Sequence, residues 1–346
     1  MSQSTRVLVT GGSGFLGGHI VQHLFQDPAT TVAIVSRKPK STSSDARISY
    51  HAADITDETR IKALFDEIKP HAVIHTVSPH HTDAASALIR TNIDGTKTLL
   101  KAAKACHETQ AFVYTSSDSA LQPTQVPLTE DKAVLYTETH YVRCYGMTKA
   151  VADALVQAAN GSELGTAVIR LPSIYGEDDT NFLPQLVSGL RKKEHKMQVG
   201  KNKKVFEFVY VKKAAEAHIL ASRALLDSQK APAVAGQAFF ISDGIPQPFF
   251  DFARKCYAAA GSPVKPEEVT SIPLGAMKVM ASLGEWIYFI FTLGAKTPTL
   301  RRDGIDHLDG GACWSIEKAR RILGYEPVAD QDEAIKISMD WAMKNC

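Results

Sequence analysis

Thr10-Gly-Gly-Ser-Gly-Phe-Leu-Gly17 decides the fold, because it joins an apolar run at residues 7–10 to a helical pattern at residues 16–25. Glycines in this pattern allow a tight turn, a close approach of the backbone to a pyrophosphate, and close packing of the helix on the strand. The free amides of the helix N-terminus then face the anion. The candidate phosphate-binding residues are Gly11, Gly14, Phe15, Leu16 and Gly17.

Short apolar runs alternate with helical patterns through the first half of the chain. The predicted strands lie at residues 7–10, 32–35, 72–75, 112–115, 167–171, 206–211 and 238–241. The predicted helices lie at residues 16–25, 58–68, 84–105, 145–159 and 214–225. Because the strands lack polar alternation, they indicate a parallel sheet covered on both faces. The expected fold is α/β, a doubly wound parallel (Rossmann) sheet with a smaller mixed α/β substrate domain.

The regular alternation breaks after Pro172, which predicts a discontinuous second domain. Residues 1–172 and 204–241 are assigned to the dinucleotide-binding domain. Residues 173–203 and 242–346 are assigned to the substrate domain.

Composition excludes several classes of protein. The net charge of +2 is too small to indicate nucleic-acid binding, and no run of lysines and arginines suggests a basic groove. Five scattered cysteines without a Cys-x-x-Cys pair argue against a disulfide framework and a zinc site, so no metal is expected. They fit a reducing compartment, which predicts a cytoplasmic protein.

Residues 274–295 are strongly apolar and contain the cluster Trp286-Ile-Tyr-Phe-Ile-Phe291. Lys278 and Glu285 make this segment a poor membrane span. It is interpreted either as a buried helix pair or as a surface that admits an apolar substrate or touches a membrane, with the surface favoured. Peripheral contact with the endoplasmic reticulum membrane and a homodimer are the associations left open.

The end of the second strand bears on the choice of cofactor. A carboxylate there would accept hydrogen bonds from the adenosine ribose of NAD, but the sequence carries Ser36 and Arg37. A guanidinium can bind a 2′-phosphate in bidentate fashion, so NADP is favoured and NAD is the alternative. Asp54 and Ile55 follow another candidate strand and are expected near the adenine ring.

Tyr145-Gly-Met-Thr-Lys149 places a phenol and an amine four residues apart on one helical face. A nearby ammonium favours the phenolate, which would bring the tyrosine pKa toward the range of a general base. Ser117 lies just after the fourth predicted strand, where its hydroxyl could bind the reacting oxygen; Ser116 and Ser119 are competing assignments. Ser117, Tyr145 and Lys149 are the predicted catalytic residues.

These motifs and four others together resemble the extended short-chain dehydrogenase family, over nearly the whole chain. The others are Val73-Ile-His-Thr76, Asn92-Ile-Asp-Gly-Thr96, Val113-Tyr-Thr-Ser-Ser117 and Arg170-Leu-Pro-Ser-Ile-Tyr-Gly176. Stretches 206–220, 236–242 and 315–325 look most like the 3β-hydroxysteroid dehydrogenase/isomerase branch, including sterol-4-carboxylate 3-dehydrogenases.

The resemblance implies hydride transfer between NAD(P) and a ring secondary alcohol, such as the 3β-hydroxyl of a steroid or terpenoid. A 4-carboxylate would then be lost as carbon dioxide. It also implies that Pro172 and Ser173 line the nicotinamide and that Asn92 has a structural or relay role. Two alternatives are a nucleotide-sugar epimerase or dehydratase, which would need a polar second domain, and a non-catalytic NADP-binding protein.

Overall fold

The computed structural model describes residues 4–40, 43–137, 144–292 and 302–346, apart from the side chains of residues 289, 290, 292 and 303. Its strands are β1 Thr5–Thr10, β2 Thr30–Ser36, β3 Ile48–Ala52, β4 Ala72–His75, β5 Ala111–Ser117, β6 Gly165–Leu171, β7 Ser173–Tyr175, β8 Met197–Val199, β9 Val205–Phe206, β10 Phe208–Tyr210, β11 Gln237–Phe240, β12 Gln247–Pro248 and β13 Thr270–Ile272. Its α-helices are α1 Phe15–Phe25, α2 Glu58–Ile68, α3 Ala85–Leu88, α4 Thr96–Ala105, α5 Cys144–Ala158, α6 Phe182–Arg191, α7 Val211–Leu226, α8 Ala231–Val234, α9 Phe249–Ala259, α10 Leu274–Thr292, α11 Arg302–Gly310, α12 Glu317–Leu323 and α13 Gln331–Asn345.

Seven of these strands form one parallel sheet in the order β11-β6-β5-β4-β1-β2-β3. The chain builds outward from β1 to β3 and then crosses over β1 to continue with β4. This reversal leaves a crevice at the carboxyl ends of β1 and β4, where such sheets bind ligands. The predicted doubly wound α/β fold is confirmed.

Alternate residues of each strand pack on opposite faces of the sheet. In β1, Val7 and Val9 join one hydrophobic cluster with α1 and α7, whereas Leu8 joins a second cluster with α2, α4 and α5. All three side chains are at most 2% exposed. Burial on both faces explains why the strands carry no polar alternation in sequence.

Two predicted elements differ from the structure. The predicted helix at 84–105 is interrupted at Ile89–Gly95 by a π-helical turn. The predicted strand at 206–211 is two strands, β9 and β10, separated at Glu207, and Val211 already begins α7.

The apolar segment at 274–295 forms helix α10 to Thr292, and its last three residues lie outside the described part of the chain. Met277 and Ala281 pack against Ile305 of α11, whereas Trp286 is 68% exposed and Phe291 is 83% exposed. The side chain of Phe289 is not among those described. Among the helices that the structure describes, none is both long and apolar enough to cross a membrane. The exposed side chains therefore favour the surface interpretation over a buried helix pair.

Candidate active site

A cleft of about 950 Å³ opens at the carboxyl edge of the sheet, around the reversal between β1 and β4. It brings together predicted residues that lie far apart in sequence. They are Gly11, Gly14, Phe15, Leu16, Gly17, Ser36, Arg37, Asp54, Ile55, Ser117, Tyr145, Lys149 and Pro172. Ser173 begins β7 and is not among the lining residues, although its neighbours Pro172 and Ile174 are.

The glycine-rich turn fits a close backbone approach. Gly11 has a φ of +76°, which side chains other than glycine rarely adopt. A Cβ on Gly17 would lie 2.1 Å from the carbonyl oxygen of Gly11, so only glycine allows α1 to start this close to the turn. Gly14 precedes the first residue of α1 and leaves the N-terminal amides open toward the cleft. These residues fit a bound pyrophosphate.

The end of the cleft next to β2 carries several positively charged side chains. Arg37, Lys38 and Arg90 line it, and Arg90 donates to Oδ2 of Asp54 at 2.8 Å. The hydroxyl of Ser36 is buried and has no hydrogen-bond partner within the described residues. A hydroxyl without a hydrogen-bond partner, close to guanidinium groups, is able to bind the ribose or phosphate oxygens of an adenosine moiety.

Lys149 lies one helical turn beyond Tyr145 on α5 and is only 2% exposed. Its Nζ donates to the carbonyl oxygen of Thr115 at 2.9 Å, which ties α5 to the end of β5. Burial lowers the pKa of Lys149 to about 7, although the nearby Asp153 carboxylate partly opposes that shift. The amine can therefore gain or lose a proton near neutral pH.

Tyr145 has hydrogen-bond contacts with Ser117 and Ser78. Burial, followed by the negative charge of Asp118, raises the pKa of Tyr145 to about 12, and the two serines offset only part of this. The expectation that Lys149 brings this pKa into the working range is thus not met in the free protein. The phenol is protonated until a further positive charge enters the cleft.

Asp118 follows Ser117 and is buried beneath the site. Its Oδ1 accepts a long hydrogen bond of 3.4 Å from the Ser117 hydroxyl, which itself accepts from the amide of Ser119 at 3.1 Å. Burial raises the pKa of Asp118 to about 6. Of the three serines considered from sequence, Ser117 is the one in contact with Tyr145, whereas the Ser116 hydroxyl is buried without a partner.

The π-helical turn at Ile89–Gly95 aims Asn92 at the catalytic helix. Nδ2 of Asn92 donates to Oγ1 of Thr148 at 3.0 Å, and Thr148 precedes Lys149 in α5. Asn92 is fully buried, and its Oδ1 has no partner within the described residues. A π-helical turn holds one residue more than an α-helical turn, which redirects the side chains within it, and such turns recur at functional sites.

Two buried charged residues beside Lys149 were not found from sequence. Asp153 lies one turn beyond Lys149 on α5, and Arg170 on β6 donates to both of its carboxylate oxygens at 2.9 and 3.0 Å. Their exposed fractions are 0% and 3%. The spacing of Lys149 and Asp153, four residues apart, is the same signal that paired Tyr145 with Lys149 and could have identified Asp153.

Pro79 lines one lip of the cleft, and His80 and His81 follow it without being among the lining residues. The His81 ring lies 6.3 Å from that of Tyr145, edge to face. Nε2 of His80 lies 2.8 Å from Oδ1 of Asn181, linking this lip to the start of α6. The two histidines are therefore near the reacting end of the cleft.

Comparison with known sequences identifies the family. The sequence model of the 3-beta hydroxysteroid dehydrogenase/isomerase family matches residues 8–274, which include the glycine-rich turn, Ser117, Tyr145 and Lys149. The chain belongs to this family. The protein is accordingly an NAD(P)-dependent oxidoreductase that acts on a CH–OH group.

Three relatives with similar sequences show which members of the family the chain resembles. The sterol-4-alpha-carboxylate 3-dehydrogenase, decarboxylating, of Gibberella zeae is 58% identical, covering 84% of this chain and 97% of the relative. The enzyme of the same name from Schizosaccharomyces pombe is 32% identical, covering 95% of each chain. The 3-beta-hydroxysteroid dehydrogenase of Mycolicibacterium neoaurum is 30% identical, covering 95% of this chain and 89% of that protein.

Solved structures share the fold at low sequence identity. The UDP-glucose 4-epimerase of Thermotoga maritima has a TM-score of 0.73 at 18% identity, covering 98% of this chain and 99% of that one. The epimerase Mth375 of Methanothermobacter thermautotrophicus has a TM-score of 0.76 at 19% identity, covering 99% and 93%. These likenesses support the Rossmann-type fold and carry no inference about the substrate.

Proposed function

We propose that this protein oxidises the 3β-hydroxyl of a sterol 4-carboxylic acid and that the oxidised product loses carbon dioxide. The observation that carries the proposal is the contact of Tyr145 with Ser117 above the buried amine of Lys149. The relatives named as decarboxylating sterol dehydrogenases support the choice of substrate. Residues 173–203 and 242–346 are proposed to supply the substrate-binding part.

Oxidation removes a proton from the hydroxyl and a hydride from its carbon. Ser117 donates a hydrogen bond to the substrate oxygen, and Tyr145, as the phenolate, accepts its proton. The nicotinamide, when bound, is the hydride acceptor, and its oxidised form adds the positive charge that the phenolate needs. Lys149, held by Thr115, stabilises the phenolate and can pass the proton onward because its pKa is near neutrality.

Decarboxylation follows from the chemistry of the product. Oxidation of the hydroxyl beside a carboxylated carbon gives a β-keto acid. As the bond to the carboxylate breaks, its electron pair moves toward the ketone oxygen and forms an enolate. Tyr145, which has taken up the proton of the hydroxyl, can return one to this oxygen, and Ser117 can donate a hydrogen bond to it.

The cofactor proposed here is NADP, with NAD as the alternative. The residues Gly11, Gly14 and Gly17 would hold the pyrophosphate. Arg37, Lys38 and Arg90 supply positive charge where a 2′-phosphate would lie, and Asp54 is already engaged by Arg90. The buried Ser36 hydroxyl, without a partner among the described residues, supports an oxygen-rich ligand at this end.

Contact with a membrane surface is proposed for helix α10. Its exposed side chains include Leu283, Trp286 and Phe291. An apolar helix face of this kind suits the interface between headgroups and acyl chains, where an aromatic residue is stable. A sterol substrate is itself found in membranes, so this contact would bring the protein to its substrate.

Product analysis tests the proposal directly. Purified protein is incubated with NADP or NAD and a 4-carboxylated 3β-hydroxysterol labelled in the carboxyl group, and released label and the 3-ketone are measured. We expect equal amounts of both products, and a fall of ~10²- to 10⁴-fold in turnover for Tyr145→Phe with cofactor affinity nearly unchanged. The 3-ketone without release of label would leave a dehydrogenase that does not promote decarboxylation; no 3-ketone would refute the proposed substrate.

A further inference from the structure

His218 lies in the middle of α7, on the face of the sheet opposite the catalytic helix α5. It is fully buried, and Ala214, Ala217 and Ala221 of the same helix belong to the hydrophobic core. An imidazole is costly in such a place unless its ring nitrogens have hydrogen-bond partners. Both nitrogens have a partner, and one of these partners belongs to the catalytic cleft.

The hydrogen bonds of His218 have fixed directions. Its Nδ1 lies 2.7 Å from the carbonyl oxygen of Ala214, which can only accept, so Nδ1 carries the proton. Burial lowers the pKa of His218 to about 4, so the ring is neutral near pH 7 and Nε2 carries no proton. Nε2 therefore accepts from the hydroxyl of Thr115 at 2.8 Å.

Thr115 joins the two faces of the sheet. In β5, Val113 packs on the side of α7 and Tyr114 on the side of α5, so the side chain of Thr115 returns to α7. Its carbonyl oxygen accepts from Nζ of Lys149 at 2.9 Å. Thr115 also lines the cleft. This one residue is thus held by α7 and itself holds the amine of the catalytic helix.

The position of Thr115 in β5 makes a side-chain anchor useful. On the side of β4 the pairing of β5 ends at Tyr114, so Thr115 is the first residue that this neighbour does not hold. An apolar residue at position 218 would leave the Thr115 hydroxyl without its acceptor in the interior. That hydroxyl would turn toward another oxygen, and the carbonyl group of the same residue would be free to move with it.

We propose that His218 is a positioning residue, which acts through the Thr115 hydroxyl to fix the carbonyl oxygen that holds Lys149. The inference rests on the role proposed above for Lys149 in stabilising the phenolate of Tyr145. A displacement of about 1 Å in such an arrangement costs ~10²-fold in rate. A histidine that only filled the core would instead affect turnover no more than any other core residue of α7.

The test removes either end of the bond between His218 and Thr115. His218→Leu removes the acceptor, and Thr115→Val removes the donor while retaining the shape of the side chain. We expect each change to lower kcat by ~10- to 100-fold, with the KM of the substrate and the Kd of NADP within about twofold. The double variant should be no slower than the slower single variant, because both changes break the same bond.

Conservative variants and a matched control separate positioning from stability. His218→Gln retains an acceptor and Thr115→Ser retains a donor, so both should recover most of the lost kcat. Ile219→Ala is the control, because Ile219 is the next residue of α7, is 2% exposed and has no polar side-chain atom. It should lower the melting temperature at least as much as Thr115→Val and leave kcat within about twofold.

Nitrogen NMR of labelled lysine, in protein without substrate or cofactor, gives a readout that does not depend on the proposed reaction. A carbonyl oxygen at Nζ favours the ammonium form, so loss of this bond should lower the pKa of Lys149 further below about 7. The other groups that act on this amine, the Asp153 carboxylate and the His75 ring, stay in place. The shift should occur in Thr115→Val and not in Ile219→Ala.

Two outcomes would overturn the proposal. One is a folded Thr115→Val or His218→Leu variant with unchanged kcat and an unchanged pKa of Lys149. The other is an equal loss of kcat in Ile219→Ala. If His218→Leu does not fold, Thr115→Val decides, since it leaves the core of α7 intact. If the unchanged protein does not oxidise the sterol, the proposed substrate is wrong and the NMR comparison still decides the role of His218.

Discussion

Arg170 donates to both carboxylate oxygens of Asp153, and this buried pair lies one helical turn beyond Lys149. The pair links β6 to the helix that carries Tyr145. The Asp153 carboxylate also favours the protonated form of the catalytic amine, because it opposes the fall in the pKa of Lys149.

Asp153→Asn should lower the free energy of unfolding by ~3–5 kcal/mol, because it leaves a buried guanidinium without its partner. The double variant Asp153→Asn with Arg170→Met removes both charges and should recover much of this loss. In the single variant, which removes only the Asp153 charge, the pKa of Lys149 should fall below its value of about 7. Urea denaturation and nitrogen NMR of labelled lysine measure the two effects. Equal destabilisation by the single and double changes would contradict this account.

Asp118→Asn should shift the pH dependence of oxidation. The Asp118 charge raises the pKa of Tyr145, and oxidation requires the phenolate, so removal of that charge should move the acid limb of the kcat/KM profile to lower pH. Asp83→Asn, which changes an exposed carboxylate at the rim of the cleft, is the control. An unchanged profile for Asp118→Asn would separate Asp118 from the chemistry.

Glu207→Gln should stabilise the folded protein at high pH, because the carboxylate of Glu207 is buried. Burial raises the pKa of Glu207 to about 7 from an ordinary 4.5, and one of its oxygens has no hydrogen-bond partner within the described residues. The folded protein therefore holds this proton more tightly than the unfolded chain, and stability falls as pH rises between these two values. We expect Gln to stabilise the protein by up to ~3 kcal/mol at pH 8 and little at pH 4. Thermal unfolding at the two pH values measures this, and equal effects at both would refute it.

Arg37→Ala should reduce the preference for NADP over NAD. A hydrogen bond to a charged group contributes ~1.5–3 kcal/mol, so NADP affinity should fall by at least ~10-fold while NAD affinity changes little. Titration of tyrosine and tryptophan fluorescence with each cofactor measures both constants. Tighter binding of NAD by the unchanged protein would contradict the NADP assignment.

Trp286→Ser with Phe291→Ser should reduce association with liposomes. Both side chains are mostly exposed, so thermal stability should change by no more than ~0.5 kcal/mol. Flotation on sucrose gradients measures association, and Val126→Ser is a control at an exposed apolar residue outside α10. Unfolding of the double variant would instead assign the two residues to the core.

The sequence predicted the sheet and most of the residues that line the cleft, because both depend on local patterns. Burial on two faces gives uninterrupted apolar strands, and the spacing of Tyr145 and Lys149 fixes a common helical face. The break at Glu207 was missed because an acidic residue buried between two short strands follows no local pattern. The role of Ser173 at the nicotinamide stays a prediction.

Contacts between residues that lie far apart in sequence could not be predicted from local sequence patterns. Arg170 meets Asp153 because β6 lies beneath α5, and His80 meets Asn181 across about a hundred positions of sequence. The high pKa of Tyr145 was missed for a related reason: spacing reveals the lysine, but only the folded chain reveals burial and the Asp118 charge.

The π-helical turn at Ile89–Gly95 also limits which insertions and deletions of residues the protein can accept at this point. Deletion of one codon within it would restore regular α-helical geometry, and the helix would gain intrinsic stability. The same deletion would redirect the side chains within the turn, among them Asn92. Asn92 would then lose its hydrogen bond to Thr148, and a protein that folds well would lack this contact beside Lys149. Length polymorphism at this turn should therefore be selected against through activity rather than through folding.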